Sequence, residues 1–245
     1  MDHPFYARSP REQRALRIRF IAGCVGLAVV IVGAALVLPA PWGLLLAPLL
    51  LALLLQVAAP FLDTPSGRAR GSLVYYAPLF IVEPLRKGVM VLHGGTLFDY
   101  WFVLRGPKSA HERRQRVVRD FLRGLIALAE EHVREGGPSF RLRATTYILH
   151  PATARRAGFE RAPQSAGALL VWLNALVLTV AYSLVQRRLR FPPLHRTRTY
   201  EASIESLVHR LPQLRALEAR LARRSTKPEP RADRCPEQPA HPPRP

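Results

Sequence analysis

The chain has 245 residues and a formal net charge of +19, with 49% hydrophobic and 22% charged residues. The hydrophobic and basic residues occur in separate blocks, which is typical of a membrane protein. No nucleic-acid-binding module is recognisable, so we expect no nucleic-acid partner. The two cysteines, Cys24 and Cys235, form no disulfide framework or metal-ligand spacing. The sequence therefore predicts no metal site and no cofactor.

The N-terminal quarter of the chain predicts a two-helix transmembrane hairpin. Residues 1–19 are polar and basic, and charge is then absent from 20–38 and 44–62. Each apolar run is long enough to cross a hydrocarbon core of about 30 Å as a helix. The "PAPWG" string between the runs is typical of a tight turn at the far membrane face. A signal peptide is less favoured, because a second apolar run follows at once.

The arginines predict the orientation of this hairpin, which occupies residues 20–62. Five arginines precede the first helix, and Arg68 and Arg70 follow the second, whereas the turn between the helices has none. Positive charge concentrates on the cytoplasmic side of membrane proteins. We therefore expect a multi-pass protein of the bacterial inner membrane with a cytoplasmic N-terminus.

Residues 70–225 predict a basic cytoplasmic α+β domain with a small, mostly antiparallel sheet. Its clearest helix begins with a capping box formed by Ser109 and Glu112. The stretch 139–149 alternates apolar and polar residues and predicts a half-exposed strand. Pro212 is expected to kink or divide the last helix.

The run "VMVLHGGTLFDYWFVL" at 89–104 allows two local structures. A Gly-Gly pair between β-prone residues is typical of a two-residue hairpin turn. Alternatively, Thr96 caps a helix that begins at Leu97, with Asp99 completing a capping box. Aromatic and β-branched residues prefer strands, so the sequence favours the hairpin.

Asp99, in the same run, is the first candidate catalytic residue, with His93 or His150 as its partner. A carboxylate flanked by apolar residues needs a partner, which is a feature of active sites but more often of buried structural aspartates. Residues 92–95 resemble the His-Gly-Gly oxyanion element of lipase-like hydrolases, but the G-x-S-x-G nucleophile motif of that fold is missing. In the predicted hairpin, His93 and Asp99 lie on opposite faces and form no dyad.

A third apolar run, 167–185, is long enough to span a membrane. Basic segments on both sides and Asn174 at its centre instead favour a buried or membrane-surface helix, with a third span as the alternative. Three arginines follow the run and are the predicted contact for anionic lipid or a partner: Arg187, Arg188 and Arg190. The tail 226–245 is rich in proline and charge and is predicted to be disordered.

Two functions remain open on these grounds. The favoured one is a non-catalytic binding or accessory module at the cytoplasmic membrane face, with membrane lipids or another membrane protein as its partner. The alternative is a membrane-associated enzyme that acts on an apolar or lipid-like substrate.

Overall fold

The computed structural model describes residues 3–39, 41–106, 109–149, 151–163 and 166–226. The predicted disordered tail, from 227 onward, and His150 lie outside these ranges. The helices are α1 (Pro10–Val37), α2 (Trp42–Ala69), α3 (Leu97–Val103), α4 (Ala110–Glu135), α5 (Pro151–Arg156), α6 (Ala166–Leu173), α7 (Ala175–Gln186), α8 (Ile204–His209) and α9 (Leu211–Thr226). The strands are β1 (Val74–Ala77), β2 (Phe80–Val82), β3 (Val89–Gly94), β4 (Arg141–Thr146), β5 (Glu160–Ala162) and β6 (Arg198–Ser203).

Helices α1 and α2 form an N-terminal pair that precedes the α+β region. Each has 28 residues and is apolar and long enough to cross a membrane, by length and composition. Helix α1 begins before its apolar run because Ser9 and Glu12 form a capping box ahead of Pro10. The helices contact each other along their length, and most of their apolar side chains are exposed. That exposure suits a lipid environment better than water.

The six strands form one mixed sheet in the order β1-β2-β3-β4-β6-β5. Strands β3 and β4, at its centre, run parallel, and their neighbours pair antiparallel. The expectation of a mostly antiparallel sheet is therefore wrong. The physical reason is the crossover through α3 and α4, because a connection of that length returns the chain in the same direction.

The favoured hairpin at Gly94 and Gly95 is also wrong, and the alternative helix is confirmed. Strand β3 pairs with β2, so that Ile81 lies opposite His93, and α3 begins directly afterwards. Gly95 does not form a turn but lets the backbone pass close to Leu79, because a Cβ at this position would lie 2.8 Å from Leu79 Cδ2. Tertiary contacts thus override the strand preference of the aromatic run.

The third apolar run is divided into α6 and α7 at Asn174. Among the helices of the described residues, only α1 and α2 are both long enough and apolar enough to cross a membrane. Helix α7 packs against α2, α3 and α4. Its buried side chains, Val177, Ala181 and Val185, share a core with α3 and with Val57 and Phe61 of α2.

The main core lies between one face of the sheet and helices α4, α5, α8 and α9. Helix α4 begins at the predicted capping box of Ser109 and Glu112. Strand β4 buries Leu142 and Ala144 in this core and presents Arg141 and Arg143 on the other face, as its alternation predicts. Pro212 lies in the first turn of α9, so the predicted division of the last helix is confirmed.

Gly124 fixes how closely α4 approaches the sheet. A Cβ at this position would lie 2.2 Å from Phe80 Cδ1 and 2.6 Å from Phe80 Cβ, and Phe80 is fully buried. We expect Gly124→Ala to lower the free energy of unfolding by about 1–3 kcal/mol, because the buried Phe80 side chain has no room to move away from the added methyl group. Thermal unfolding of the detergent-purified protein measures this. Gly106→Ala, where a Cβ meets nothing within 4 Å, is the control. Equal melting temperatures for both variants would contradict the prediction.

Candidate functional site

Asp99 lies in a closed cluster of polar side chains where the helical pair meets the α+β region. Its Oδ2 accepts hydrogen bonds from the Thr96 backbone N–H at 2.7 Å and from the Thr96 hydroxyl at 2.8 Å. Its Oδ1 accepts from the Tyr75 hydroxyl at 2.8 Å. The Thr64 hydroxyl of α2 donates in turn to Thr96 Oγ1 at 2.9 Å. The carboxylate therefore replaces its lost water with protein donors.

His3, near the N-terminus of the chain, is the third residue in contact with Asp99. His3 Nε2 lies 3.2 Å from Asp99 Oδ1, an ion-pair distance without the alignment of a hydrogen bond, and both side chains are 0% exposed. His3 Nδ1 accepts from the Phe5 backbone N–H at 3.2 Å. Because an accepting nitrogen carries no hydrogen, this contact places the ring proton on Nε2, which lies next to the carboxylate.

Aromatic contacts hold His3 in this position. The His3 ring is stacked parallel to the Phe98 ring at a centroid distance of 5.8 Å, and the Phe5 ring meets Phe98 edge-on at 4.9 Å. Phe5, Phe98 and Phe102 form a small buried core. Burial of a phenylalanine contributes about 1.5–3 kcal/mol, so Phe5 is a substantial anchor for the N-terminus.

Arg68, at the end of α2, closes the cluster. Its Cζ lies 3.8 Å from the centroid of the Tyr6 ring, a cation–π distance. Burial raises the pKa of the Tyr75 phenol above its ordinary value, and the negative charge of Asp99 raises it further. The pKa of Tyr6 is also raised, chiefly by burial. Both phenols therefore stay protonated at neutral pH, and Tyr75 can act only as a donor to the carboxylate.

The junction cluster, as we call it, consists of seven residues from four parts of the chain. They come from the N-terminal segment, the end of α2, β1 and the start of α3: His3, Tyr6, Thr64, Arg68, Tyr75, Thr96 and Asp99. What they share is mutual contact, and each of them is buried or half-buried. Chemically, the arrangement supplies donors to the Asp99 carboxyl group and leaves it no exposed surface for a substrate.

The structure does not bring the predicted catalytic residues together. His93 lies on β3 with a partly exposed side chain, and its Nε2 is 2.8 Å from Glu83 Oε1. Asp99 contacts the junction cluster instead. His150 lies outside the described residues. The catalytic roles of Asp99 and His93 stay predictions that this geometry does not favour.

The predicted lipid-contact arginines follow α7 directly. Arg187, Arg188 and Arg190 are all exposed, and they alternate with apolar side chains that are exposed as well: Leu189 is 82% and Phe191 77% exposed. The Arg190 backbone N–H donates to the Ser183 hydroxyl at 3.1 Å, which fixes the segment to the end of α7. The structure thus forms one surface that is both basic and apolar.

Sequence reasoning missed most of the junction cluster. His3 and Tyr75 carry no local signal, because neither lies in a motif or near Asp99 in sequence. Asp120, on α4, was missed as well. It is fully buried, its Oδ2 lies 2.9 Å from Arg116 Nε, and burial raises its pKa despite that partner. A carboxylate on the apolar stripe of a helix was the signal that could have identified it.

Neither a metal site nor a known relative adds to this picture. Within the described ranges, no group of three or more His, Cys, Asp or Glu side chains is arranged to hold a metal ion. Comparison of the chain with known protein families, with curated proteins and with solved structures finds no match.

We expect Asp99→Ala to destabilise the fold strongly. The substitution leaves the half-buried Tyr75 hydroxyl and Thr96 N–H without their acceptor, and each such loss costs up to about 1–3 kcal/mol. Thermal unfolding in detergent measures the loss. Asp63→Ala, which removes an exposed carboxylate of α2, is the matched control. The structural role of Asp99 would be refuted by a melting temperature equal to that of the control.

Proposed function

We propose that this protein is a non-catalytic, membrane-anchored module of the bacterial inner membrane whose cytoplasmic face binds anionic lipid. The observation that carries the proposal is the contact of His3 and Phe5 with Asp99 and Phe98, across two helices of spanning length. With this contact, the N-terminal segment and the α+β region meet at the same end of the helical pair. A hairpin of two spanning helices crosses the membrane twice and therefore requires that the segments before and after it lie on the same side of the membrane.

The arginines support the orientation. Five precede the apolar part of α1, Arg68 and Arg70 follow that of α2, and none lies in the turn. The positive-inside bias then assigns the α+β region to the cytoplasm. The geometry of the junction cluster and the charge pattern are independent of each other, and they favour the same topology.

Cysteine labelling tests this topology. In a background with Cys24→Ala and Cys235→Ser, we expect Leu38→Cys, in the turn, to react with a membrane-impermeant maleimide on intact spheroplasts. Pro4→Cys and Gly106→Cys should react only after the spheroplasts are lysed, because both lie on the cytoplasmic side. Reaction of all three before lysis would overturn the anchoring.

The lipid preference rests on the exposed arginines after α7. Arg187, Arg188 and Arg190 lie beside the exposed Leu189 and Phe191, and this combination of cationic and apolar side chains is typical of segments that bind an anionic membrane surface. Arg113, near the start of α4, donates to the Leu184 carbonyl and so contributes more positive charge near the end of α7.

Spin-labelled lipids test this preference. In reconstituted vesicles, we expect the protein to restrict spin-labelled phosphatidylglycerol more than spin-labelled phosphatidylcholine. Changing Arg187, Arg188 and Arg190 to Gln together should reduce the selectivity several-fold, and added salt should reduce it too, because the attraction is screened.

The matched control changes Arg134, Arg141 and Arg215 to Gln and removes the same charge. Arg215 pairs with Glu130, so it lies near the end of α4 that is remote from Arg113. This control should keep the lipid selectivity. Equal loss in both triple variants would show a general effect of net charge and would refute a specific surface.

A further inference from the structure

Helix α6 carries an apolar surface that the α+β region leaves uncovered. Its sequence, "AGALLVWL", has no charge, and four of its side chains are 55–62% exposed: Leu169, Leu170, Trp172 and Leu173. An exposed apolar patch of this kind marks an interaction surface rather than a surface built for water.

Gln56 fixes the position of this surface relative to α2. The Gln56 side-chain amide donates to the Leu173 carbonyl, so the end of α6 lies beside the middle of α2. The first charged residue after the apolar run of α2 is Asp63. At a rise of about 1.5 Å per residue, Gln56 lies about 10 Å further into the apolar part of the helix. In-plane amphipathic helices insert to a similar depth, about 5–10 Å.

Two polar side chains of this segment donate hydrogen bonds within the protein. The Asn174 side-chain amide donates to the Leu170 carbonyl at 2.8 Å, and the Thr179 hydroxyl donates to the Ala175 carbonyl at 2.7 Å. Hydrocarbon offers no hydrogen bonds, so an embedded segment must satisfy such groups internally. Asn174, which argues against membrane insertion in the sequence alone, is thus compatible with it.

Helix α7 holds α6 at this depth. Val177, Ala181 and Val185 are buried against α3 and α2. Two exposed leucines of α2, Leu53 and Leu55, lie within one helical turn of Gln56, which contacts the end of α6. Trp101 of α3, also exposed, lies closer to the charged end of α2, since its ring is 6.4 Å from that of Phe61. Tryptophans concentrate at membrane interfaces.

We propose that α6 is a membrane-embedded, in-plane helix whose exposed side chains contact the acyl chains of the cytoplasmic leaflet. Its occupant is lipid, because the α6 surface continues the lipid-facing surface of α2 at the same depth. The inference rests on the proposed anchoring by α1 and α2. It adds a third, non-spanning membrane contact, which brings the arginines after α7 to the level of the lipid headgroups.

Depth-dependent quenching of tryptophan fluorescence tests this proposal. The full chain with Trp42→Phe and Trp101→Phe keeps only Trp172, and both replaced side chains are substantially exposed, so the fold should tolerate the changes. The protein is reconstituted in phosphatidylcholine and phosphatidylglycerol vesicles that contain phosphatidylcholine with a doxyl group at acyl carbon 5 or 12. A second variant, Trp101→Phe with Trp172→Phe, keeps only Trp42 and reports on the hairpin.

We expect the 5-doxyl lipid to quench Trp172 at least as strongly as Trp42, and more strongly than the 12-doxyl lipid does. If Trp42 is quenched and Trp172 is not, the in-plane helix is refuted while the anchoring stands. A blue-shifted Trp172 that lipid does not quench would indicate cover by protein, such as a second copy, and would also overturn the inference. If neither tryptophan is quenched, the anchoring fails together with the inference.

Discussion

A carboxylate that loses its water must find a protein donor for each lone pair, and Asp99 finds donors in distant parts of the chain. Tyr75 of β1 and Thr96 at the start of α3 donate to it, and Thr64 of α2 donates in turn to Thr96. His3 of the N-terminal segment packs against the same carboxylate at 3.2 Å. Because partly satisfied polar groups are costly in a core, these segments are held together or lost together. The cluster therefore couples the helical pair to the α+β region.

The membrane-facing geometry follows from this coupling. The contact between α2 and α3 positions the apolar core that these two helices share with α7. Helix α6, which precedes α7, is then held beside α2 by the hydrogen bond from Gln56 to the Leu173 carbonyl. The exposed arginines after α7 then lie beside the same surface. The proposed lipid contact therefore depends on the whole junction and not on one basic motif.

Prediction from sequence succeeded where the signal was local. The capping box at Ser109 and the alternation of β4 are each specified by neighbouring residues, as is the helix break near Pro212, and all three appear in the structure. Prediction failed at Gly94 and Gly95, where two local structures had similar intrinsic propensity. The pairing of β3 with β2 decided between them, and strand pairing is set by contacts that a short window of sequence does not contain.

The sequence by itself determined the two apolar runs, the arginines that flank them and the presence of one aspartate in an apolar stretch. These follow from composition and spacing, because hydrophobicity and charge act on each residue regardless of the fold. Only the tertiary structure decided that Asp99 meets His3 and Tyr75 rather than His93, and that α6 lies beside Gln56. The partners of a buried polar group come from segments that are distant in sequence, and only the packing of the whole chain determines which of these segments lie next to it.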